Sequence, residues 1–280
     1  MCTSAPKPNV WDEYLTPDGG VSRIDAKANR GAKMRVNDDE RATSEPTDGA
    51  SLARAAEDVC TRSFSGTPTT QPELCLDWAC GPDVSGRWDD PKRLKIFAYI
   101  SKFIHRETLR GGPRKAILHA RKKDSDEIGA VCVVHLLHGN AQPYGSTLSV
   151  VWNMVCRHGL PPFGDVAGCQ KRFEAADKLT NAMHKRHGSK SGLRHVYVAM
   201  MAVDPSAQGQ KLCSKLMRTV SKVADAKGLP CYLECSGEKN REVYRRFGYE
   251  VAERCSVKDP GGGPGFDEYY AMVRKSTKSV

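Results

Sequence analysis

The run His195–Val203 (HVYVAMMAV) constrains this chain more than any other stretch. It is apolar at both alternating sets of positions, the pattern of a central strand covered on both faces. Asp204-Pro205-Ser206 stops it. The spacing then predicts a helix over Gly209–Lys227, with Leu212, Leu216, Val220, Val223 and Ala224 facing inward and Gly228 and Pro230 closing it. A buried strand that feeds a long helix needs cover on both sides, which points to an α/β fold.

The flanking patterns agree. Lys115–Ala120 and Glu127–Leu137 read as two strands joined by a short polar link, hence a hairpin. Cys231–Cys235 (CYLEC) reads as a short buried strand, Arg241–Phe247 as a short helix, and Tyr249–Cys255 and Glu268–Arg274 as two final strands. Helices are expected from Ser51, over Asp90–Leu109 with Pro91 at its first turn, and over Gln170–His187. Residues 139–168 are a Gly/Pro-rich insertion, and the Gly261–Gly265 run is a loop between the last two strands.

Residues 1–50 carry seven basic and nine acidic side chains, including the Asp38–Arg41 cluster, and show no sustained periodicity. They read as a disordered tail, with one domain over 51–276. The whole chain has a formal net charge of +10, so the body carries +12. That balance suits an anionic ligand, an acidic partner or nucleic acid. No run of about eighteen apolar residues exists for a membrane helix. No apolar signal core opens the sequence, and eleven cysteines suggest free thiols in a reducing, cytoplasmic setting. Neither Cys75/Cys80 nor Cys231/Cys235 has zinc-ligand spacing, so no metal is expected.

The chemistry centres on AVDPSAQGQKLCSKLM. A helix N-terminus leaves backbone N–H groups unpaired and carries partial positive charge, which suits a pyrophosphate. Downstream lies YLECSGEKNREVYRRFGYEV. The order V-x-P-x-x-Q-G, long helix, Y-L-E strand, N-x-x-x-Y-x-x-x-G-[FY] resembles the GNAT superfamily of acyl-CoA N-acyltransferases. The match is strong over 194–255 and looser back to Ser51. The helix with His184 and the RHVYVAMMAVDP strand resemble the branch that includes puromycin N-acetyltransferase.

The resemblance implies a GNAT fold: a mixed, mainly antiparallel sheet flanked by helices. It implies acetyl-CoA as co-substrate, with the pantetheine arm along Met201, Ala202 and Val203. The pyrophosphate would lie on Gln208, Gly209, Gln210, Lys211, Leu212 and Cys213, and Asn240 would contact the cofactor. It implies Tyr244 as the acid toward the leaving thiolate. Glu234 is the candidate base or the holder of a cationic amine, with His184, His195 and Tyr197 as alternatives. The implied reaction is acetyl transfer to a primary amine, of a small molecule, by direct attack in a ternary complex. The family loop is usually [RQ]-x-x-G-x-[GA], and here Lys211 and Cys213 stand at the small positions. That departure motivates one alternative, a CoA-binding protein without catalysis. The basic body motivates the other, a module that binds an acidic partner or nucleic acid.

Overall fold

The strand pattern of the sequence becomes one seven-stranded sheet in the computed structural model, which describes residues 9–15, 20–25, 49–139, 141–145, 147–188 and 194–278. The strands are β1 (Val21–Arg23), β2 (Lys115–Arg121), β3 (Ile128–His138), β4 (Arg194–Val203), β5 (Cys231–Ser236), β6 (Glu250–Val257) and β7 (Phe266–Arg274). Their order is β1-β2-β3-β4-β5-β7-β6. Every pairing is antiparallel except β4 with β5. The helices are α1 (Gly49–Ser65), α2 (Leu74–Cys80), α3 (Pro91–Arg110), α4 (Thr147–Asn153), α5 (Cys169–Met183), α6 (Leu212–Ala226) and α7 (Glu238–Arg245).

Two layers cover the sheet. On one face α6 sends Leu212, Leu216, Met217, Val220 and Val223 onto Leu118, Cys132, Val196, Val198 and Leu233. On the other face α1 and α3 pack through Val59, Ile96 and Phe97 against Ile117, Val131, Val133 and Ala202. The α2 and α5 helices cover the remaining part of that face over Tyr197, Tyr232 and Ala271. A buried ion pair joins three helices at this layer. Arg93 of α3 meets Asp77 of α2 at 2.7 Å, and its Nη1 donates to the Ser65 carbonyl of α1 at 2.7 Å.

Several boundaries differ from the sequence reading. Leu74–Cys80, where the sequence reading placed no element, is helical, as α2. The insertion is largely helical too: α4 runs into a wide turn at Met154–His158, and a 3-10 turn follows at Pro162–Asp165. The α6 helix starts at Leu212 rather than Gly209, because Gly209 (φ +83°) and Lys211 (φ +60°) take left-handed backbone before it. The last short helix begins at Glu238, three residues earlier than its apolar pattern shows.

The expected tail is partly wrong. Trp11 is only 1 % exposed and packs into the α6-side core with Val10, Tyr14 and Leu15 beside it. β1 pairs Val21 with Ala120 and Arg23 with Leu118, extending the sheet past β2. A three-residue strand has no periodicity to read, and its pairing partner lies about a hundred residues away, so composition alone misses it. The rest of the expected tail, with the Asp38–Arg41 cluster, lies outside the described residues. The folded unit thus includes sequence before Ser51. Trp11→Ala should lower stability by about 3 kcal/mol, the cost of emptying a large core site. Urea unfolding reads this as a lower midpoint at constant m. A change within ~0.5 kcal/mol, as at an exposed position, would show this segment to be dispensable.

Candidate active site

The site is built where β4 and β5 part company. They pair in parallel only at Val196–Cys231 and Tyr197–Tyr232. Past those positions the strands splay. On the β3 side β4 carries a bulge: Val133 faces Met200, while Val134 faces Val198, which leaves Ala199 as the extra residue. A bulge bends the strand and raises its twist, and here it sits at the start of the splay.

Backbone parity decides which parts of β4 look into the cleft. The Asp204 amide donates to the Gly129 carbonyl on β3 at 2.9 Å. Ala202, two residues earlier, therefore also turns its backbone to β3, where it faces Val131. Met201 and Val203 turn theirs toward the splay. The Val203 amide is already engaged there, donating to Ser63 Oγ of α1 at 3.2 Å. Of the three residues proposed for the pantetheine arm, Met201 alone keeps both backbone groups directed at the cleft with no such contact. Ala202 contributes a buried side chain to the α1 layer instead.

The loop after β4 leads to the α6 N-terminus. Gln208, Gly209 and Lys211 are exposed, and no atom lies within 4 Å of where a Gly209 side chain would start. The Lys211 carbonyl accepts from Lys215 at 3.1 Å, which makes Lys211 the cap residue. No side chain caps this end. The first-turn amides of Leu212, Cys213 and Ser214 thus have no carbonyl within the helix to bind. Lys211 does not fill the loop, since its left-handed backbone leaves the side chain exposed. Cys213 is half-buried beside Tyr244, and burial pushes its thiol up to about 11. Gln210 braces the loop: its Oε1 accepts from the Lys123 amide of the β2–β3 turn at 2.8 Å. These donors fit the diphosphate of an acyl-CoA without a Gly at position 211.

Tyr244 and Glu234 flank the cleft from opposite faces of the sheet. Tyr244, on α7, packs into the α6-side core, its ring 6.1 Å from that of Tyr249. Burial drives its phenol well above the ordinary value, with the thiols of Cys213 and Cys235 adding to the shift. Glu234 alternates with Leu233 and Cys235 on β5 and so shares the other face with Tyr232 and Ser236. Its Oε1 is shut off from solvent. Burial raises Glu234 to about 7, and hydrogen bonds from the phenols of Tyr232 and Tyr197 pull it partly back.

The other expected residues have structural work. Asn240 donates to the Ser236 carbonyl at 2.9 Å, tying α7 to the end of β5. His184 and His195 approach each other at 2.9 Å between their Nε2 atoms. Burial, then the neighbouring His195, lowers His184 to about 4, which keeps it neutral and makes it a weak base. One acid went unnoticed in the sequence. Glu73 accepts from the Leu76 amide at 2.7 Å and also takes the Ser236 hydroxyl, and burial raises its carboxyl. The Pro72-Glu73 pair before an apolar run was its signal, a helix start.

A cavity of about 1030 Å³ lies beside this cleft, between α1, the β2–β3 turn and Asp204–Ser206. Five carboxylates line it (Asp58, Asp89, Asp126, Glu127 and Asp204) against Arg62 and Lys122, and Arg62 is bound to Asp204 at 2.6 Å. That charge balance disfavours phosphate. Part of the positive charge on and just after α5 is consumed as well. Arg172 donates to the carbonyls of Ala79 and Ala167, and Arg186 pairs with Glu253 at 2.7 Å. Among the described residues, no three His, Cys, Asp or Glu side chains are grouped to hold a metal ion, and no helix is long and apolar enough to cross a membrane.

Comparison with known proteins agrees with this architecture. A family model described as the acetyltransferase (GNAT) domain matches residues 171–251, from α5 to the start of β6. The agmatine N-acetyltransferase crystal structure is 15% identical with a TM-score of 0.51, covering 81% of this chain and 95% of that one. Arylalkylamine N-acetyltransferase 2 from Aedes aegypti is 13% identical with a TM-score of 0.50, covering 79% of this chain and 95% of its own. No curated protein matches the chain. The chain has the GNAT fold: a mixed, largely antiparallel sheet flanked by helices, with the parallel β4–β5 pair splayed at its centre.

Proposed function

We propose that this protein transfers an acetyl group from acetyl-CoA to a primary amine of a small molecule, by direct attack in a ternary complex. The observation that carries the reading is the splay of β4 from β5 in front of the uncapped α6 N-terminus, with Tyr244 and Glu234 on its two sides. The matched acetyltransferase domain model and the two amine acetyltransferase structures support it. The placement beside puromycin N-acetyltransferase is part of the proposal and rests on the sequence around His184 and β4.

In this reading the amides of Gly209, Lys211, Leu212, Cys213 and Ser214 would hold the diphosphate, while those of Gln208 and Gln210 donate to the Pro205 and Ala207 carbonyls at 3.4 and 3.3 Å. Met201 pairs with the pantetheine arm, and Val203 offers its carbonyl. The bound acetyl-CoA supplies an activated thioester. Glu234 takes the proton of the incoming ammonium, a task that suits a carboxyl near neutral affinity. Tyr244 holds its proton at Oη and donates a hydrogen bond to the departing sulfur. Its raised affinity suits that sulfur. The same burial that pushes Cys213 up to about 11 would also strengthen a thiolate there as a base.

Calorimetric titration with acetyl-CoA tests the first half of this reading. Micromolar binding is expected. A Cys213→Asp variant, which sets a negative charge in the first turn of α6, should weaken it at least tenfold. Binding that ignores this charge would place the diphosphate elsewhere.

A further inference from the structure

Among the described residues six large hydrophobic side chains are exposed, and four of them lie within ten consecutive positions: Val151, Trp152, Val155 and Leu160, on α4 and the turns that follow it. Trp152 is 67 % and Leu160 80 % exposed, so the protein gives neither much cover. What holds this segment to α3 is polar. Asn153 Nδ2 donates to Glu107 Oε2 at 3.4 Å, His158 Nε2 meets Glu107 Oε1 at 3.0 Å, and the Tyr99 hydroxyl donates to the Gly159 carbonyl at 2.9 Å. The segment is amphipathic in the reverse of the usual sense, with polar groups turned to the protein and apolar ones to solvent. Single exposed apolar residues are ordinary, whereas such a group marks an interaction surface. Charge says what it meets. Residues 139–164 hold no carboxylate. Residues 102–115, at the end of α3 and the start of β2, hold five basic side chains against Glu107 alone. Arg106 is tied to Glu57 at 3.6 Å, and Glu107 is shared by Arg110 at 2.7 Å and Arg157 at 4.0 Å. Arg110 and Arg157 still stay about half exposed, and Arg114 is exposed just ahead of β2.

We propose that this face seats the protein on an anionic lipid bilayer, with Trp152 and Leu160 entering the interfacial layer and Arg110, Arg114 and Arg157 lying against the headgroups. Tryptophan and leucine on one side, with arginine beside them, is the composition of a surface-bound membrane segment. Apolar burial and attraction to an anionic leaflet add, and neither alone gives firm attachment. A second copy of the chain would bring the same cationic rim against this one, which opposes a symmetric dimer through this face. An acidic polypeptide would answer the charge, but the widely exposed Trp152 and Leu160 need apolar cover, which lipid supplies without a matching pocket. The contact is peripheral, since no described helix is long and apolar enough to cross a membrane. It also leaves the cleft open. The chain leaves β3 for α4 at His138, which faces Arg194 at the start of β4, whereas the loop assigned to the diphosphate follows Val203 at the other end, opposite Ala130. Membrane seating of this kind does not depend on acetyl transfer.

The test mixes the full chain with vesicles of phosphatidylcholine, or of equal parts phosphatidylcholine and phosphatidylserine, and measures the bound fraction by sedimentation. The wild type should bind the anionic vesicles about tenfold more tightly than the neutral ones, and added salt should weaken that binding. Trp152→Ser with Leu160→Ser should weaken it about tenfold. Arg110→Gln with Arg157→Gln should do the same. The first pair is exposed, so its melting temperature should match the wild type. Phosphatidylserine with brominated acyl chains should quench tryptophan emission in the wild type and leave Trp152→Phe unquenched. Undiminished binding by the Trp152/Leu160 variant would mean that the basic body holds lipid by charge alone, and this face would lose its role. Absence of vesicle binding by the wild type also overturns the proposal. In that case a dimer that the same two substitutions dissolve would assign the face to a second copy, and salt-sensitive binding of poly-glutamate would assign it to an acidic protein.

Discussion

Glu234→Gln should lower kcat by about 10²–10⁴-fold, the usual contribution of a positioned base. It should also remove the pH dependence of the remaining rate near neutrality. In the wild type, kcat should climb as pH rises through about 7, because only the carboxylate form of Glu234 can accept the amine proton. The groups around Glu234 are the phenols of Tyr144, Tyr197, Tyr232 and Tyr269, which stay protonated through this range. Stability should move the opposite way. A carboxyl raised above its unfolded value holds its proton in the native state where the unfolded chain has lost it. Folding stability therefore falls as pH climbs from the unfolded value, near 4.5, to about 7. Glutamine has no proton to lose, so the variant should melt higher than the wild type at pH 8 while turning over far more slowly. A rate unchanged by the substitution would remove Glu234 from the chemistry.

Tyr244→Phe should lower kcat by about 10²–10³-fold, the effect of deleting one donor aimed at developing charge. The ring stays, so packing against Tyr249 and the α6 core is preserved and the melting temperature should shift little. The acetyl-CoA dissociation constant should stay within about twofold, since the hydroxyl serves the sulfur only as the C–S bond breaks. Steady-state rates beside calorimetric titration separate the two effects. A kcat equal to that of the wild type would leave Tyr244 as a core aromatic.

The centre of this molecule was legible in its sequence, because residues 194–255 write strand, loop, helix and strand in uninterrupted periodic segments. Glu234 lies opposite Cys231 and Cys235, which are buried on the α6 side. The features that failed to show are those fixed by partners far along the chain. β1 exists because β2 offers a free edge, and Trp11 is buried because α6 and the sheet leave room for it. The Val203 amide is taken by Ser63, 140 residues away. No glycine or proline marks the bulge at Ala199, so the onset of the splay is a tertiary property. The expected small residue at position 211 reflects a backbone need, and Lys211 meets it by taking left-handed backbone itself.

The proposed function requires acetyl transfer to an amine in the cleft between β4 and β5. The most direct measurement incubates the purified full chain with acetyl-CoA and a panel of primary amines, and follows free CoA thiol and the acetylated product together by mass spectrometry. Equal release of thiol and N-acetylated amine is expected, abolished by Glu234→Gln and Tyr244→Phe together. Bound acetyl-CoA with no amine acetylated, or product formed at the same rate by the double variant, would contradict it.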